Sequence, residues 1–205
     1  MSFVERNAQK KIQNLEIQIK QLYDNVHSTK MICNKHVENM RETSRVKRKD
    51  GFYMFSVQRH NDSHGILIYK ETQNDGLVVF YLFDPNGRNS VNVGYNLSIK
   101  YNKEYIVSNN MSPSIVWNDY VGHCALWCII VIILWNSFEP KKRMTALQLF
   151  DTKMTEHFNV RRVFIDDIYN LILTGKDFDT QLETFEFIQK VKNRIQKLSI
   201  DFEIQ

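Results

Sequence analysis

Four side chains suited to nucleophilic acyl transfer follow one another in the order His64, Asp84, Asn118, Cys124. A thiol attacks as its thiolate, so it needs a base nearby and surroundings that stabilise negative charge. An imidazole is that base near neutral pH, and a carboxylate beside it fixes the tautomer and stabilises the imidazolium. Asn118 stands six residues before Cys124, where its amide N–H can point at the oxygen that gains charge. With the backbone N–H of Cys124 it would make a two-donor oxyanion hole, each donor lowering the barrier by about 3 kcal/mol. Singly these residues say little, since a cysteine in an apolar run is most often a packing residue. Their combination at the ends of successive elements is what points to chemistry.

The elements that must position them are legible in outline. Residues 52–58, Gly65–Lys70 and Leu77–Phe83 are rich in aromatic and aliphatic side chains and predict strands. Asn74-Asp75-Gly76 between the last two predicts a tight turn, because these residues tolerate positive φ. A hairpin folded about Asn74 sets position 64 opposite position 84, at a Cα separation of about 4.5–5.5 Å. A one-residue slip would send the two side chains to opposite faces. Asp84-Pro85-Asn86-Gly87 ends the second strand as a turn. Residues 88–103 predict loop, and 104–108 and 114–117 short strands. Cys124 opens a 12-residue apolar run to Trp135, after the polar stretch Asn118–Gly122. A thiol at a helix N-terminus feels unpaired N–H groups and the positive end of the dipole. Cys128, one turn further in, reads as a core residue, and His123 as a loop residue directed away from substrate.

Further helices are predicted over 146–157, 166–173 and 179–198, the last with Phe178, Leu182, Phe185, Ile188, Val191, Ile195 and Leu198 on one face. At the other end, Ala8, Ile12, Leu15, Ile19, Leu22 and Val26 recur every three or four residues, which predicts helix through residues 2–45. Three heptads are marginal for a coiled coil, so packing on the domain is favoured. The fold class is α+β: a small, mostly antiparallel sheet against a central helix bearing Cys124, with a helical arm over 1–50 and a domain over 51–205.

Charge is uneven along the 205 residues. Residues 1–50 hold 11 Lys/Arg and 6 Asp/Glu, a net of +5 within a total of +4, so the remainder sums to −1. Such an arm suits contact with nucleic acid or another polyanion, and equally suits a solvated basic helix. The clusters Lys141-Lys142-Arg143 and Arg161-Arg162 read as solvated surface. Three cysteines, Cys33, Cys124 and Cys128, argue against a disulfide framework and for a reducing compartment. The start does not resemble a signal peptide, and the 12-residue apolar run is too short to span a bilayer. Secretion is not expected, and neither is a membrane partner.

Three local patterns resemble the adenain and ubiquitin-like-protein protease group, the clan CE cysteine peptidases. His64 opens a hydrophobic strand in HGILIYK, LVVFYLFDPNG ends in acid-Pro-x-Gly, and IVWNDYVGHCALWCIIVIILW places an amide six residues before a Cys-x3-Cys helix start. Where the family usually has Gln, an aromatic after the histidine and Gly after the cysteine, this chain has Asn118, Gly65 and Ala125. The resemblance covers about residues 52–138. It implies an adenain-like fold, a His64–Asp84–Cys124 triad assisted by Asn118, a location in a virion or the host cytoplasm or nucleus, and no cofactor requirement, with activation by nucleic acid or a peptide open. It implies a protein substrate: a capsid or other virion precursor cleaved during particle maturation, or a ubiquitin-like conjugate in a deubiquitinase or deSUMOylase. Acetyltransferases with the same triad order use acetyl-CoA, for which the chain has no recognisable site. A non-catalytic zinc protein is a rival from another class, with His60, His64, Cys124 and Cys128 as ligands, although two of these lie one turn apart in an apolar helix. So is a nucleic-acid-binding virion protein, motivated by the basic arm.

Overall fold

The computed structural model describes residues 3–33, 49–59, 62–87, 99–101, 104–106, 109–114, 116–117 and 123–198; side chains at 28–33, 55–59, 62–63, 99–101, 104–106 and 109–110 are outside that description. Two compact units emerge: residues 1–23 with 129–205, and residues 24–128.

The first unit is helical. Helix α1 (Phe3–Leu22) buries Ala8, Lys11, Ile12, Leu15 and Ile19. The stripe expected to continue to residue 45 stops at Leu22. Asp24-Asn25 turns the chain, and Val26–Cys33, with β-branched Val26, Thr29 and Ile32, forms strand β1 in the second unit. The arm expected over 1–50 is therefore divided between the units, and residues 34–48 lie outside the described set. Lys11, one of the arm's cations, is buried. Its Nζ donates to the Gly175 carbonyl at 2.6 Å and the Leu173 carbonyl at 3.4 Å, with Asp177 at 3.7 Å. Asn14 donates to the Asp177 carbonyl and to Asp179, and Gln18 to the Asp179 carbonyl. Lys11, Asn14 and Gln18, spaced three and four residues apart, thus hold one connecting segment.

Helix α2 (Cys124–Trp135), of which Cys124–Cys128 count with the second unit and the rest with the first, carries no charged residue, and Leu126 to Leu134 are 0–1% exposed. A helix apolar on every face belongs in a core. Helices α3 (Arg143–Glu156), α4 (Phe158–Thr174) and α5 (Gln181–Lys197) follow. Arg161 is buried rather than solvated: it donates to the Met154 carbonyl at 3.0 Å and lies over the Phe158 ring at 5.0 Å. The predicted face of α5 also changes. Thr184, Phe187, Ile188, Val191 and Ile195 are buried, while Leu182 and Phe185 are exposed. Steps of three residues fall about 60° short of a full turn each time, so the row Leu182–Phe185–Ile188 winds around the helix. Thr180 caps the start, accepting from the Glu183 N–H.

The second unit is built on a five-stranded sheet in the order β1-β2-β3-β4-β7. Its strands are β1, β2 (Gly51–Arg59), β3 (Asp62–Thr72), β4 (Val78–Phe83) and the two-residue β7 (Asn109–Asn110); β5 (Ile99–Tyr101) and β6 (Glu104–Ile106) form a separate hairpin. The central pairs are antiparallel but both outer pairs are parallel, so the sheet is mixed rather than mostly antiparallel. Residues 114 and 116–117, expected in a strand, are not in one. Asp50 fixes the β2–β3 register: its carboxylate accepts from Lys70 Nζ at 2.8 Å and from the Thr72 N–H at 2.8 Å.

The β3–β4 register differs by two residues from a fold about Asn74. Leu67 pairs with Phe83 and Thr72 with Val78. The turn is Gln73–Gly76, closed by the Gly76 N–H on the Gln73 carbonyl, and Gly76 takes a φ of 85°. A left-handed residue after a tight turn is the three-residue hairpin loop, and it centres the hairpin on residue 75. Continued past the strand end, this register sets position 84 against Ile66 and position 86 against His64. A two-residue stagger keeps parity, so His64 and Asp84 still share a face as diagonal neighbours.

Replacing Lys11 by Met keeps the buried stem and removes the charged donor from the Gly175 carbonyl. We expect a loss of about 1.5–3 kcal/mol, measured by urea denaturation of the full chain.

Candidate active site

The second unit brings together His64, Asp84 and Cys124. His64 lies within β3 rather than just before it, Asp84 follows β4, and Cys124 is the first residue of α2. His64 Nε2 is 2.7 Å from Asp84 Oδ1. His64 and Cys124 are hydrogen-bonded to each other. With Nε2 held by the carboxylate, Nδ1 is the ring nitrogen left for the thiol. The three residues are 9%, 1% and 7% exposed, so their charges meet with little water between them.

The thiol reaches the ring because α2 seats its first turn on β3. Strand β4 pairs with β3 only from Leu67 onward, so among the described residues the stretch around Gly65 has no strand partner on that side. A Cβ on Gly65 would stand 3.1 Å from the Ala125 nitrogen and 3.2 Å from its Cα. Only glycine permits this approach without displacing the helix backbone. Replacement of the aromatic residue expected from the resemblance therefore has a steric counterpart.

The acid is aimed by its own turn. Asp84 Oδ1 accepts from the Asn86 N–H at 2.8 Å, and the Gly87 N–H donates to the Asp84 carbonyl at 2.9 Å. Buried Ser112 accepts from the Asp84 N–H at 2.8 Å and donates to the Leu82 carbonyl at 3.3 Å. Trp117 ties this turn to α2. Its N–H donates to the Pro85 carbonyl at 2.8 Å, and its carbonyl accepts the Trp127 indole N–H at 3.1 Å. Its ring packs on Phe83 and Trp127, at centroid distances of 5.8 and 5.0 Å.

These contacts shift both titrating groups. Burial alone would push the His64 imidazole down, but hydrogen bonds to Asp84 and Cys124, and their charges, outweigh it and raise the value to about 9. Burial alone would push the Cys124 thiol up. The His64 hydrogen bond, the Gly65 N–H, the His64 charge and the Ala125 N–H outweigh it and leave the thiol lowered. Both shifts favour the thiolate–imidazolium form of the pair. Because the His64 value is raised above 6.5, its stabilisation of the fold is complete below that pH and is lost as pH rises through about 9.

Asn118 and Gly122 lie outside the described residues, as does His60. Cys128 is fully buried one turn into α2, as expected of a core residue. His123 lies just before α2, outside the helix as expected of a loop residue; it is buried, and its carbonyl accepts the Trp127 N–H. Cys33 falls in β1, with its side chain outside the description. No group of three or more potential metal ligands occurs among the described residues. No helix among them is long and apolar enough to cross a membrane. Sequence reasoning did not single out Asn86, Ser112 or Trp117 as parts of the site. The Asp-Pro-Asn-Gly turn contains a signal for Asn86; Ser112 has none, because its role depends on β7 lying beside β4.

No family model matches the chain, and no curated protein matches it.

Two outcomes are expected of this geometry. Asp84→Asn removes the carboxylate that holds the ring, so the His64 titration followed by ring NMR moves down from about 9, and Cys124 alkylation at pH 7 slows by about tenfold or more. Gly65→Ala forces the first turn of α2 off β3. The chain still folds by circular dichroism, but alkylation slows roughly tenfold as the thiol and ring separate.

Proposed function

We propose that the chain is a cysteine endopeptidase of adenain-like fold, with Cys124 as nucleophile, His64 as general base and acid, and Asp84 as the residue that orients His64. The single observation carrying this reading is the buried, hydrogen-bonded series Asp84–His64–Cys124, with the thiol at a helix N-terminus. A structural cysteine needs neither a lowered pKa nor a carboxylate-backed imidazole, and such shifts concentrate where reactions occur.

The chemistry follows from those groups. The Cys124 thiolate adds to the scissile carbonyl, forming an S–C bond and an oxyanion. The Cys124 N–H faces that oxyanion, with Asn118 assigned as second donor from its place in the sequence. The oxyanion collapses, the C–N bond breaks, and the His64 imidazolium protonates the departing amine. Neutral His64 then takes a proton from water, which attacks the thioester and breaks the C–S bond. No cofactor is required by these steps.

The substrate class rests on the resemblance in residues 52–138: a virion precursor protein cleaved during maturation, with a ubiquitin-like conjugate as the closest variant of the same chemistry. Nucleic acid or a peptide is a candidate activator. Of the arm's cations, Lys35, Arg41, Arg45, Lys47 and Arg48 lie outside the described residues, while Lys11 is committed to Gly175.

An irreversible thiol-directed peptide probe ending in Gly tests the reading. Labelling is expected on wild type and Cys128→Ala, to vanish in Cys124→Ala, and to fall about 10²-fold or more in His64→Ala. Absence of wild-type labelling with and without added DNA, together with stoichiometric zinc in the purified protein, would replace it with the metal-binding reading.

A further inference from the structure

The His64 ring has a second side-chain neighbour at the nitrogen that Asp84 holds. Asn86 Nδ2 stands 3.2 Å from His64 Nε2, while Asp84 Oδ1 is 2.7 Å from the same atom. Nε2 bears one hydrogen, and the short contact to the carboxylate uses it. An amide N–H aimed at that nitrogen would meet an N–H, with no lone pair to accept it. The two ends of an amide have the same shape, and rotating the group by a half turn puts Oδ1 at the same place. There it accepts from the Nε2–H, which then bridges two oxygens.

We propose that Asn86 is a positioning residue for His64, its side-chain carbonyl being a second acceptor that holds the Nε2–H on Asp84 and the opposite nitrogen on Cys124. The inference rests on the reading of His64 and Cys124 as a reacting pair. Its geometric basis is independent of the turn itself: the Asn86 backbone N–H, not its side chain, closes onto Asp84 Oδ1. The Asp84–Gly87 turn that follows β4, closed by the Gly87 N–H on the Asp84 carbonyl, brings Asn86 beside the ring. Among the described residues, the charged groups acting on the ring are Asp84, just after β4, and Cys124 at the start of α2. Asn86 adds an acceptor to the Asp84 side without adding a second negative charge.

The side chain can be changed while the backbone N–H stays. Asn86→Leu keeps the shape and removes the polar atoms; Asn86→Asp keeps acceptors and removes the donor. The readout is the iodoacetamide alkylation rate of Cys124 across pH, made in the Cys33→Ser, Cys128→Ala background so that one thiol reports. At pH 6 we expect Asn86→Leu to react about three- to tenfold more slowly and Asn86→Asp to retain at least half the parental rate. An unchanged rate in Asn86→Leu, or an equal loss in Asn86→Asp, would overturn the assignment. If Asn86→Leu does not fold by circular dichroism, Asn86→Asp decides alone: retention supports the carbonyl as acceptor and a tenfold loss rejects it. A parental Cys124 that reacts only as pH passes the ordinary thiol range would instead remove the pair itself, and the inference with it.

Discussion

The seating of the first turn of α2 on β3 at Gly65 is the contact on which the candidate site depends. A nucleophile on one element and a base on another can hydrogen-bond only if their backbones come unusually close. Gly65 has no Cβ to hold Ala125 away, and β4 stops short of this part of β3. The sheet thus leaves an open stretch of strand where the helix needs it. The rigidity comes from α2 itself, whose residues beyond the first turn are almost wholly excluded from water. Moving such a helix by even a fraction of an ångström would disturb close packing along its length.

Burying three titratable side chains together is costly unless each finds partners. The partners here form a continuous series. The Leu82 carbonyl accepts from Ser112, whose oxygen accepts from the Asp84 N–H. The Asp84 carboxylate takes hydrogen bonds from the Asn86 N–H and the His64 ring, and the ring reaches Cys124, which also receives the Gly65 and Ala125 N–H groups. Backbone groups anchor both ends of the series. Burial opposes ionisation of His64 and Cys124, yet these hydrogen bonds and charges carry both groups toward the ionised pair. Trp117 joins the acid's turn to the helix through one backbone donor and one backbone acceptor, so the two halves of the series keep their spacing.

Much of this was written locally. His64, Asp84 and Cys124 could be chosen from residue type and from their places at the ends of apolar segments, and the helix at Cys124 follows from 12 consecutive uncharged residues. The hairpin could be placed from Asn74-Asp75-Gly76. Its register could not, because the left-handed conformation at Gly76 moved the centre by one residue. Parity protected the conclusion: a shift of two positions across the pair left both side chains on one face. The N-terminal stripe misled for a different reason. Spacings of three and four are satisfied by Val26 whether or not the chain is still helical, and the Asp24-Asn25 turn and pairing with β2 ended the helix. On α5, three-residue spacing hid the winding that exposes Leu182 and Phe185.

The sequence by itself determined the chemical inventory, the α+β class and the order in which the candidate groups appear. These depend on side-chain type and on periodicities that repeat within one or two turns of chain. Tertiary structure alone decided the contacts of Gly65, Ser112 and Trp117, the burial of Lys11 and Arg161, and the mixed character of the sheet. Each of these depends on a neighbour far away in sequence. A serine is ordinary until a second strand passes beside it, and a glycine is only a gap until a helix is laid against it. Such meetings are set by the packing of whole elements, and no local spacing encodes them.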